Sequence, residues 1–424
     1  MDLTLIYVIA AVTLLYGLIS GRVERSFLTP PMVFVIVGFS IGSAGAGLLT
    51  LSPGDPGIHL LAEITLIIVL FSDAARIDLG VLKHQVKVPA RLLGIGLPLS
   101  ILAGTLVARW LFPSFTIAEA ALLAAILAPT DAALGLAVVS SPIVPKAVRQ
   151  SVNVESGLND GLALPAVMFF AALACHELGT LDGWVLYLIR QIAFGALVGI
   201  GVGWLGGLLV ARASRASWMT AGFVKLSGIA IALLAYGFAE HAHGNGFIAA
   251  FLAGMMLGNF HRSVCEPLEE YAELEGQLLT LVAFLLFGAV LLPDALPHMT
   301  GMTLLYAVLS LTVIRIGPAV LSLIGSPTGW GTRLFVGWFG PRGLASILFT
   351  LLILGEFHLE VRHQISSVVM ATVFLSVYLH GLSARPGAGW IGRYVEGRDR
   401  AGAHEFMDYP TLPTRAGYSD HERS

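Results

Sequence analysis

Long apolar runs recur along the whole chain, and short stretches of proline, glycine and charged residues separate them. A helix needs about 20 apolar residues to cross the hydrocarbon layer of a membrane. The pattern therefore predicts an all-α polytopic membrane protein with about 13 transmembrane helices. The predicted spans are residues 3–20, 31–50, 58–75, 89–112, 116–140, 145–175, 183–212, 220–240, 245–259, 272–292, 298–325, 331–355 and 363–383.

The composition of the chain also indicates a membrane. Hydrophobic residues make up 56% of the 424 positions and charged residues 12%, and the mean hydropathy is +0.83. A soluble globular protein of this length needs far fewer apolar residues. The net charge of -3 is small and dispersed, so we expect membrane lipid as a partner and no nucleic acid.

Basic residues concentrate in alternate loops, as expected when positive charge stays on the cytoplasmic side of a membrane. The poorer set of loops holds only Arg109, Arg190 and Arg362. The richer set holds Arg22, Arg25, Arg76, Lys83, Lys87, Arg91, Lys146, Arg149, Arg212, Arg215, Lys225, Arg262 and Arg333. With an odd number of spans in a plasma membrane, we expect the N-terminus outside and the C-terminus in the cytoplasm.

Two regions are predicted. Residues 1–384 form the transmembrane domain, and residues 385–424 form a cytoplasmic tail. Because this tail is polar and rich in glycine and arginine, we expect it to be largely disordered.

Two arginines, Arg315 and Arg342, lie inside the apolar eleventh and twelfth segments. A cation at bilayer depth is costly, so it usually faces the protein interior, pairs with an acid and marks a functional site. The alternative is an arginine near a helix end whose charged group reaches the membrane surface, and this alternative is stronger for Arg315 than for Arg342.

The fifth segment carries a proline and an acid near the middle of the membrane, in the sequence AILAPTDAALG. From Ile117 to Pro129 the helix rises roughly 18 Å, about half the hydrocarbon thickness. Pro129 should interrupt the helix there. Asp131 should then neutralise the positive end of the second half-helix, with Thr130 as a possible cap. A plain proline kink with a capping aspartate is the alternative.

The sixth segment, NVESGLNDGLALP, presents two neighbouring polar stripes. Ser156 shares a helix face with Asp160, and Glu155 shares the adjacent face with Asn159. Na⁺ prefers oxygen ligands, and Asp160, Ser156, Asp131 and a backbone carbonyl near Thr130 can supply them. Because burial penalises a charged carboxylate, such a group also accepts a proton when the cation leaves. A carboxylate that holds either the cation or the proton, but never both, is sufficient for exchange.

The twelfth segment repeats this device with the opposite charge, since it reads GWFGPRGLASILF, with a Gly-Pro break before Arg342. The predicted topology runs the fifth segment from outside to inside and the twelfth from inside to outside. Inverted repeats with two broken, crossing helices around a midplane site are typical of secondary transporters. We therefore expect alternating access.

At these residues the chain resembles the monovalent cation:proton antiporter family, which includes the NhaP-type bacterial exchangers and the animal sodium/proton exchangers. The similarity covers nearly all of the predicted membrane domain and is carried by APTDA, ESGLNDG, HGNGFIAAFLAGMMLGN, VIRIGP and GPRG. The pair formed by PTD and ESGLNDG is specific, whereas GPRG alone is weak.

The resemblance implies a role for each residue of these motifs. Asp160 binds the ion and the proton, while Asn159 replaces the second carboxylate of electrogenic relatives, which implies electroneutral one-for-one exchange. It implies that Asp131 and Thr130 support the site. It also implies a structural ion bridge of Glu155 with Arg315, charge compensation of the broken twelfth helix by Arg342, and a homodimer.

Asp73, near the cytoplasmic end of the third segment, departs from the glycine or glutamate expected there from the resemblance. Two interpretations stay open: a residue at the pathway mouth that attracts cations, and a plain helix-end charge.

Other functions are weighed against sodium/proton exchange. A K⁺/H⁺ antiporter and a cation channel of related architecture are the nearest alternatives. An intramembrane enzyme would need a nucleophile or metal constellation, and the fragment HELGT at His176 lacks the second histidine of a zinc protease. We expect a transporter without a cofactor, whose cargo is Na⁺, Li⁺ or K⁺ together with H⁺.

Overall fold

The computed structural model describes residues 3–23, 26–77, 79, 87–175, 181–357 and 359–400. Within these ranges the regular secondary structure is entirely helical, as predicted. The HELGT fragment at His176 and residues 401–424 lie outside the described residues.

The first half of the chain contains eight α-helices. A π-helical turn, Leu92–Gly96, joins α4 to α5, so these pieces together form the fourth span. The helices are α1 (Leu3–Val23), α2 (Pro30–Ile41), α3 (Pro56–Ala75), α4 (Lys87–Arg91), α5 (Leu97–Leu111), α6 (Ile117–Ile126), α7 (Ala132–Val139) and α8 (Lys146–Ala174).

The second half of the described chain contains ten α-helices. A π-helical turn, Phe287–Leu291, continues α12 into α13. The helices are α9 (Leu181–Arg215), α10 (Ala221–His241), α11 (Gly246–Phe260), α12 (Arg262–Leu286), α13 (Leu292–Ala295), α14 (Gly301–Leu311), α15 (Val313–Ser322), α16 (Trp330–Trp338), α17 (Leu344–Glu356) and α18 (Arg362–Arg400).

These helices reproduce the predicted spans. Nine stretches in the described part of the chain are long and apolar enough to cross a membrane unaided. The four remaining predicted spans contain the shorter apolar helices Pro30–Ile41, Ile117–Ile126, Gly246–Phe260 and Leu344–Ile353. Each of the 13 predicted segments therefore corresponds to helix in the structure.

Both predicted helix breaks are present. The fifth segment is interrupted between Ile126 and Ala132, and the twelfth between Trp338 and Leu344. Each gap contains a proline, which has no backbone N–H to continue the helical ladder. Both breaks are buried, so their unpaired backbone groups need partners from neighbouring helices. The eleventh segment is also interrupted, at Thr312 between α14 and α15, which was not predicted.

The last helix contradicts part of the predicted tail. It continues without interruption to Arg400, so disorder was wrong for residues 385–400. Ala384, Ala388, Ile391 and Val395 are buried, at helical spacings of four, three and four residues. They join a second apolar cluster with side chains from α7, α8 and α16. This apolar stripe, hidden among glycines and arginines, holds the extension in place.

Candidate ion-binding site

The two helix breaks cross in the interior and bond to each other. The amide of Asp131 donates a hydrogen bond to the carbonyl of Pro341, at 2.8 Å. The amide of Leu344, the first residue of α17, donates to Asp131 Oδ2 at 2.7 Å. The fifth and twelfth segments thus satisfy part of each other's unpaired backbone.

Asp131 caps two half-helices at once. Its Oδ1 accepts hydrogen bonds from the amides of Ala133, at 2.7 Å, and Leu134, at 3.4 Å, which begin α7. Its Oδ2 accepts from Leu344 at the start of α17. Since helix N-termini carry partial positive charge, two such ends converge on one carboxylate. Thr130 is not the cap as suggested, because the backbone places Asp131 itself at that position.

Arg342 bonds the carbonyl end of a half-helix, whereas Asp131 bonds the amide ends. Its guanidinium donates to the carbonyls of Ala128 and of Pro129, the latter at 3.0 Å, and its side chain is fully buried. These carbonyls follow the C-terminal end of α6, which carries partial negative charge. Arg342 was expected to compensate the charge of the broken twelfth segment, but its guanidinium lies against the fifth segment. Ser346 adds a hydrogen bond to the carbonyl of Ile126, at 2.8 Å.

Gly340 and Gly343 allow the two broken segments to approach each other closely. A side chain on Gly343 would overlap the carboxyl group of Asp131, and one on Gly340 would overlap the guanidinium of Arg315. The GPRG sequence therefore combines a proline that breaks the helix, an arginine that compensates carbonyl charge, and two glycines that leave space for charged neighbours.

Helix α8 joins the crossing through two of its polar side chains, which bond to Thr130 in the break. The hydroxyls of Thr130 and Ser156 lie 3.0 Å apart. Asn159 donates from Nδ2 to Thr130 Oγ1 at 2.6 Å, while its buried Oδ1 accepts no hydrogen bond. Two of the residues predicted to share a site, Ser156 and Asn159, are thus brought together at Thr130.

Asp160 lies on α8 one turn beyond Ser156 and is 7% exposed. Its buried Oδ1 accepts no hydrogen bond, and no lysine or arginine among the described residues forms an ion pair with it. It lies within electrostatic range of Asp131 and Asp73. A desolvated carboxylate with no fixed countercharge can be neutralised by a bound cation or by a proton.

Glu155 and Arg315 form an ion pair, with 2.6 Å between Glu155 Oε1 and Arg315 Nη1. Both side chains are buried, and Arg315 also donates to the carbonyl of Val336 in α16, at 3.4 Å. The pair expected from the resemblance is therefore present, and Arg315 does not extend to the membrane surface. The two charges neutralise each other, so Glu155 is held by Arg315 and is not left to bind a cation.

Asp73, at the end of α3, lies within electrostatic range of both Asp131 and Asp160. Its sequence position did not decide between a mouth residue and a helix-end charge. The structure brings three carboxylates into one region, although the described residues contain no cluster of His, Cys, Asp and Glu that would hold a resident metal ion.

Comparison with known families gives one match over most of the chain. The family described as sodium/hydrogen exchanger, transmembrane, matches residues 8–388. This range includes both breaks and all the site residues described above.

Individual relatives agree with this match. The chain is 26% identical over 397 residues to a K⁺/H⁺ antiporter NhaP of Alkalimonas amylolytica, covering 92% of this chain and 67% of that protein. It is 28% identical over 358 residues to a Na⁺/H⁺ antiporter NhaP of Pseudomonas aeruginosa, covering 75% of this chain and 78% of that one. The chain spans only 59% of the length of a K⁺/H⁺ antiporter of Shewanella oneidensis.

A solved structure supports the fold. The sodium proton antiporter of Methanocaldococcus jannaschii superposes with a TM-score of 0.75 at 18% sequence identity, covering 92% of this chain and 98% of that one. At this identity the similarity concerns the arrangement of helices, and the function has to be argued from the site.

Proposed function

The chain belongs to the sodium/hydrogen exchanger family, and from this premise we propose that it is a secondary active antiporter that exchanges Na⁺ for H⁺. The observation that carries the proposal is Asp160, a buried carboxylate without a basic partner among the described residues, beside the crossing of two broken helices. A proton and a cation compete for such a group, and this competition couples their movements.

The charges around Asp160 favour electroneutral, one-for-one exchange. Glu155 is balanced by Arg315. Asp131 and Arg342 each face half-helix ends of the opposite partial charge. Asn159 is neutral and bonds to Thr130. Among the acids of α8 and of the crossing, one carboxylate is left to change its state during the cycle, so one cation replaces one proton.

The proposed cation ligands are Asp160, the hydroxyls of Ser156 and Thr130, and Asp131. The two hydroxyls already face each other at 3.0 Å, and hydroxyl oxygens have lone pairs available for a metal. Asp131 accepts backbone hydrogen bonds on both oxygens, so its main contribution is to hold the crossing and to add negative charge. Asp73 adds a further carboxylate near the site and attracts cations to it.

Potassium is the second candidate cargo. Relatives named as K⁺/H⁺ and as Na⁺/H⁺ antiporters both match this chain. Each proposed ligand is an oxygen atom, and such ligands accept either ion. The ion preference therefore depends on the size of the site, which a comparison of Na⁺, Li⁺ and K⁺ measures.

The proposed setting is a plasma membrane, with the N-terminus outside and the C-terminus in the cytoplasm, as the distribution of basic residues predicts. We also propose a homodimer. The apolar side chains of Leu14, Leu15 and Leu18 on α1 are exposed, which leaves this helix available to pack against a second copy.

Purified protein in liposomes that contain a pH-sensitive dye tests the proposal. Addition of Na⁺ should dissipate a preset proton gradient at zero membrane potential, because electroneutral exchange needs no compensating current. The initial rate should saturate with Na⁺ concentration and should not change when a potential is imposed with a potassium ionophore.

Three outcomes separate the alternatives. Indifference to Na⁺, Li⁺ and K⁺ alike would remove the exchanger proposal. A response to K⁺ alone would select potassium/proton exchange. Cation flux that requires no proton movement in the opposite direction and carries current would indicate a channel.

A further inference from the structure

The break in the twelfth segment leaves several helical hydrogen bonds unmade, and one of them would join Trp338 to Arg342. In a continuous helix the carbonyl of Trp338 would accept from the amide four residues later, which belongs to Arg342. Because α16 ends at Trp338, these two groups are separated in the protein interior. An unpaired buried backbone group is costly, so each needs another partner.

Both partners come from one turn of α18. The amide of Arg342 donates to Ser376 Oγ at 2.7 Å. His380 Nε2 lies 2.9 Å from the carbonyl of Trp338. Ser376 is fully buried and His380 is 1% exposed. The two side chains are four residues apart, which places them on the same face of α18.

The two side chains also contact each other. His380 Nδ1 lies 3.1 Å from Ser376 Oγ and 3.0 Å from the backbone carbonyl of Ser376. Both carbonyls can only accept, and a neutral ring carries one proton. We place this proton on Nε2, because the Trp338 carbonyl has lost its helical donor, whereas the Ser376 carbonyl lies inside α18 and accepts a helical hydrogen bond there. When the ring is protonated at Nε2 alone, Nδ1 accepts the Ser376 proton. A relay of Arg342 amide, Ser376 hydroxyl and His380 imidazole then replaces the missing helical bond.

The imidazole is held in this position by its surroundings. The indole of Trp338 stacks on it, with 4.9 Å between ring centroids and 29° between planes. The indole Nε1 donates to Ser383 Oγ at 2.9 Å, away from the break. The ring is therefore fixed against α16 by both a stack and a hydrogen bond.

The relay ends at Arg342, whose guanidinium compensates the partial negative charge of the carbonyls in the fifth segment. The Arg342 backbone is held by Ser376, and its guanidinium bonds the carbonyls of Ala128 and Pro129. Those carbonyls immediately precede Thr130 and Asp131 in the other break. A shift of the Arg342 backbone would move the guanidinium and, with it, the segment that carries the proposed ligands.

We propose that His380 is a positioning residue for the exchange, acting through Ser376 and Arg342 to set the geometry of the two crossing breaks. The proposal rests on the proposed antiport for its transport readout. His380 is not among the proposed cation ligands. Its removal should therefore alter how well the site binds the ion, in addition to any effect on the amount of folded protein.

The transport test compares His380→Ala, His380→Gln and Ser376→Ala in liposomes. His380→Ala and Ser376→Ala should raise the KM for the exchanged cation about fivefold, the change that corresponds to one net hydrogen bond of about 1 kcal/mol. His380→Gln should keep a KM near that of the parent, because its side-chain amide can donate to the Trp338 carbonyl. Ser367→Ala is the matched control, since it removes a buried hydroxyl from the same helix that bonds the carbonyl of Gln364, nine residues before Ser376, and its KM should be unchanged.

Hydrogen–deuterium exchange of the purified variants separates this inference from the proposed function. Peptides that contain residues 127–134 and 339–344 should exchange faster in His380→Ala and Ser376→Ala than in the parent or Ser367→Ala. If the parent moves no cation but these peptides respond, the antiport proposal fails and the positioning stands. The inference is overturned if only peptides around residue 380 respond, or if KM is unchanged while only yield falls. Ser376→Ala, the smaller change, gives the answer if His380→Ala does not fold.

Discussion

Asp160→Asn should reduce sodium-dependent proton movement to the level of liposomes without protein. The amide nearly matches the carboxylate in shape, so the helix packing should persist. It carries no charge to attract a cation and does not bind a proton in the physiological range. Asp160 has no countercharge among the described site residues, whereas backbone hydrogen bonds occupy both carboxylate oxygens of Asp131. We therefore expect no neighbour there to take over the exchange. The dye assay in liposomes measures the loss.

Asp294→Asn is the matched control for this variant. Asp294 is an exposed acid at the start of α13, remote in sequence from both breaks. The Asp294→Asn protein should exchange cations for protons at the parent rate, and both variants should melt near the parent temperature. Substantial residual exchange in a well-folded Asp160→Asn protein would mean that another group carries the proton.

Glu155→Ala should strongly lower the stability of the fold. The substitution leaves Arg315 buried without its partner, and removal of one member of a buried ion pair typically costs about 3–5 kcal/mol. The loss should appear as a lower melting temperature in detergent and a smaller folded yield. Exchange per folded molecule should be affected less than in Asp160→Asn.

Glu360→Ala, which removes an exposed glutamate before α18, is the control and should leave stability nearly unchanged. The double variant of Glu155→Ala with Arg315→Ala should lose less stability than the sum of the two single variants, because it leaves no unpaired charge. A stable Glu155→Ala protein, or strict additivity, would show that the 2.6 Å pair does not contribute as described.

The span pattern and both helix breaks could be predicted because they depend on local sequence. Runs of apolar residues define the spans, and Pro129 and Pro341 each remove a backbone donor from the ladder. The grouping of Ser156, Asn159 and Asp160 followed from helical periodicity alone. These features need no knowledge of which helices are neighbours.

The partners across the crossing could not be predicted in the same way. Arg342 was assigned to its own helix, whereas the geometry places it against the carbonyls of Ala128 and Pro129. Thr130 seemed a suitable cap by residue type, but its hydroxyl bonds to α8 while Asp131 takes the cap. Both differences arise because the close packing of separate segments decides where each side chain points.

Two features of α18 were missed although the sequence holds a signal for each. Ser376 and His380 are polar residues four apart within an apolar span, the spacing of a shared buried face. Beyond them, Ala384, Ala388, Ile391 and Val395 continue a helical stripe past Pro386. Glycine and arginine dominate the composition there, and composition averaged over the tail concealed the periodicity.

The central claim is that a cation and a proton exclude each other at Asp160. Sodium added to purified protein in weakly buffered detergent solution tests it most directly, with proton release and cation binding measured on the same sample. The parent should release about one proton for each cation bound, and Asp160→Asn should release none. Saturable cation binding without proton release in the parent, or unchanged release in Asp160→Asn, would contradict the account.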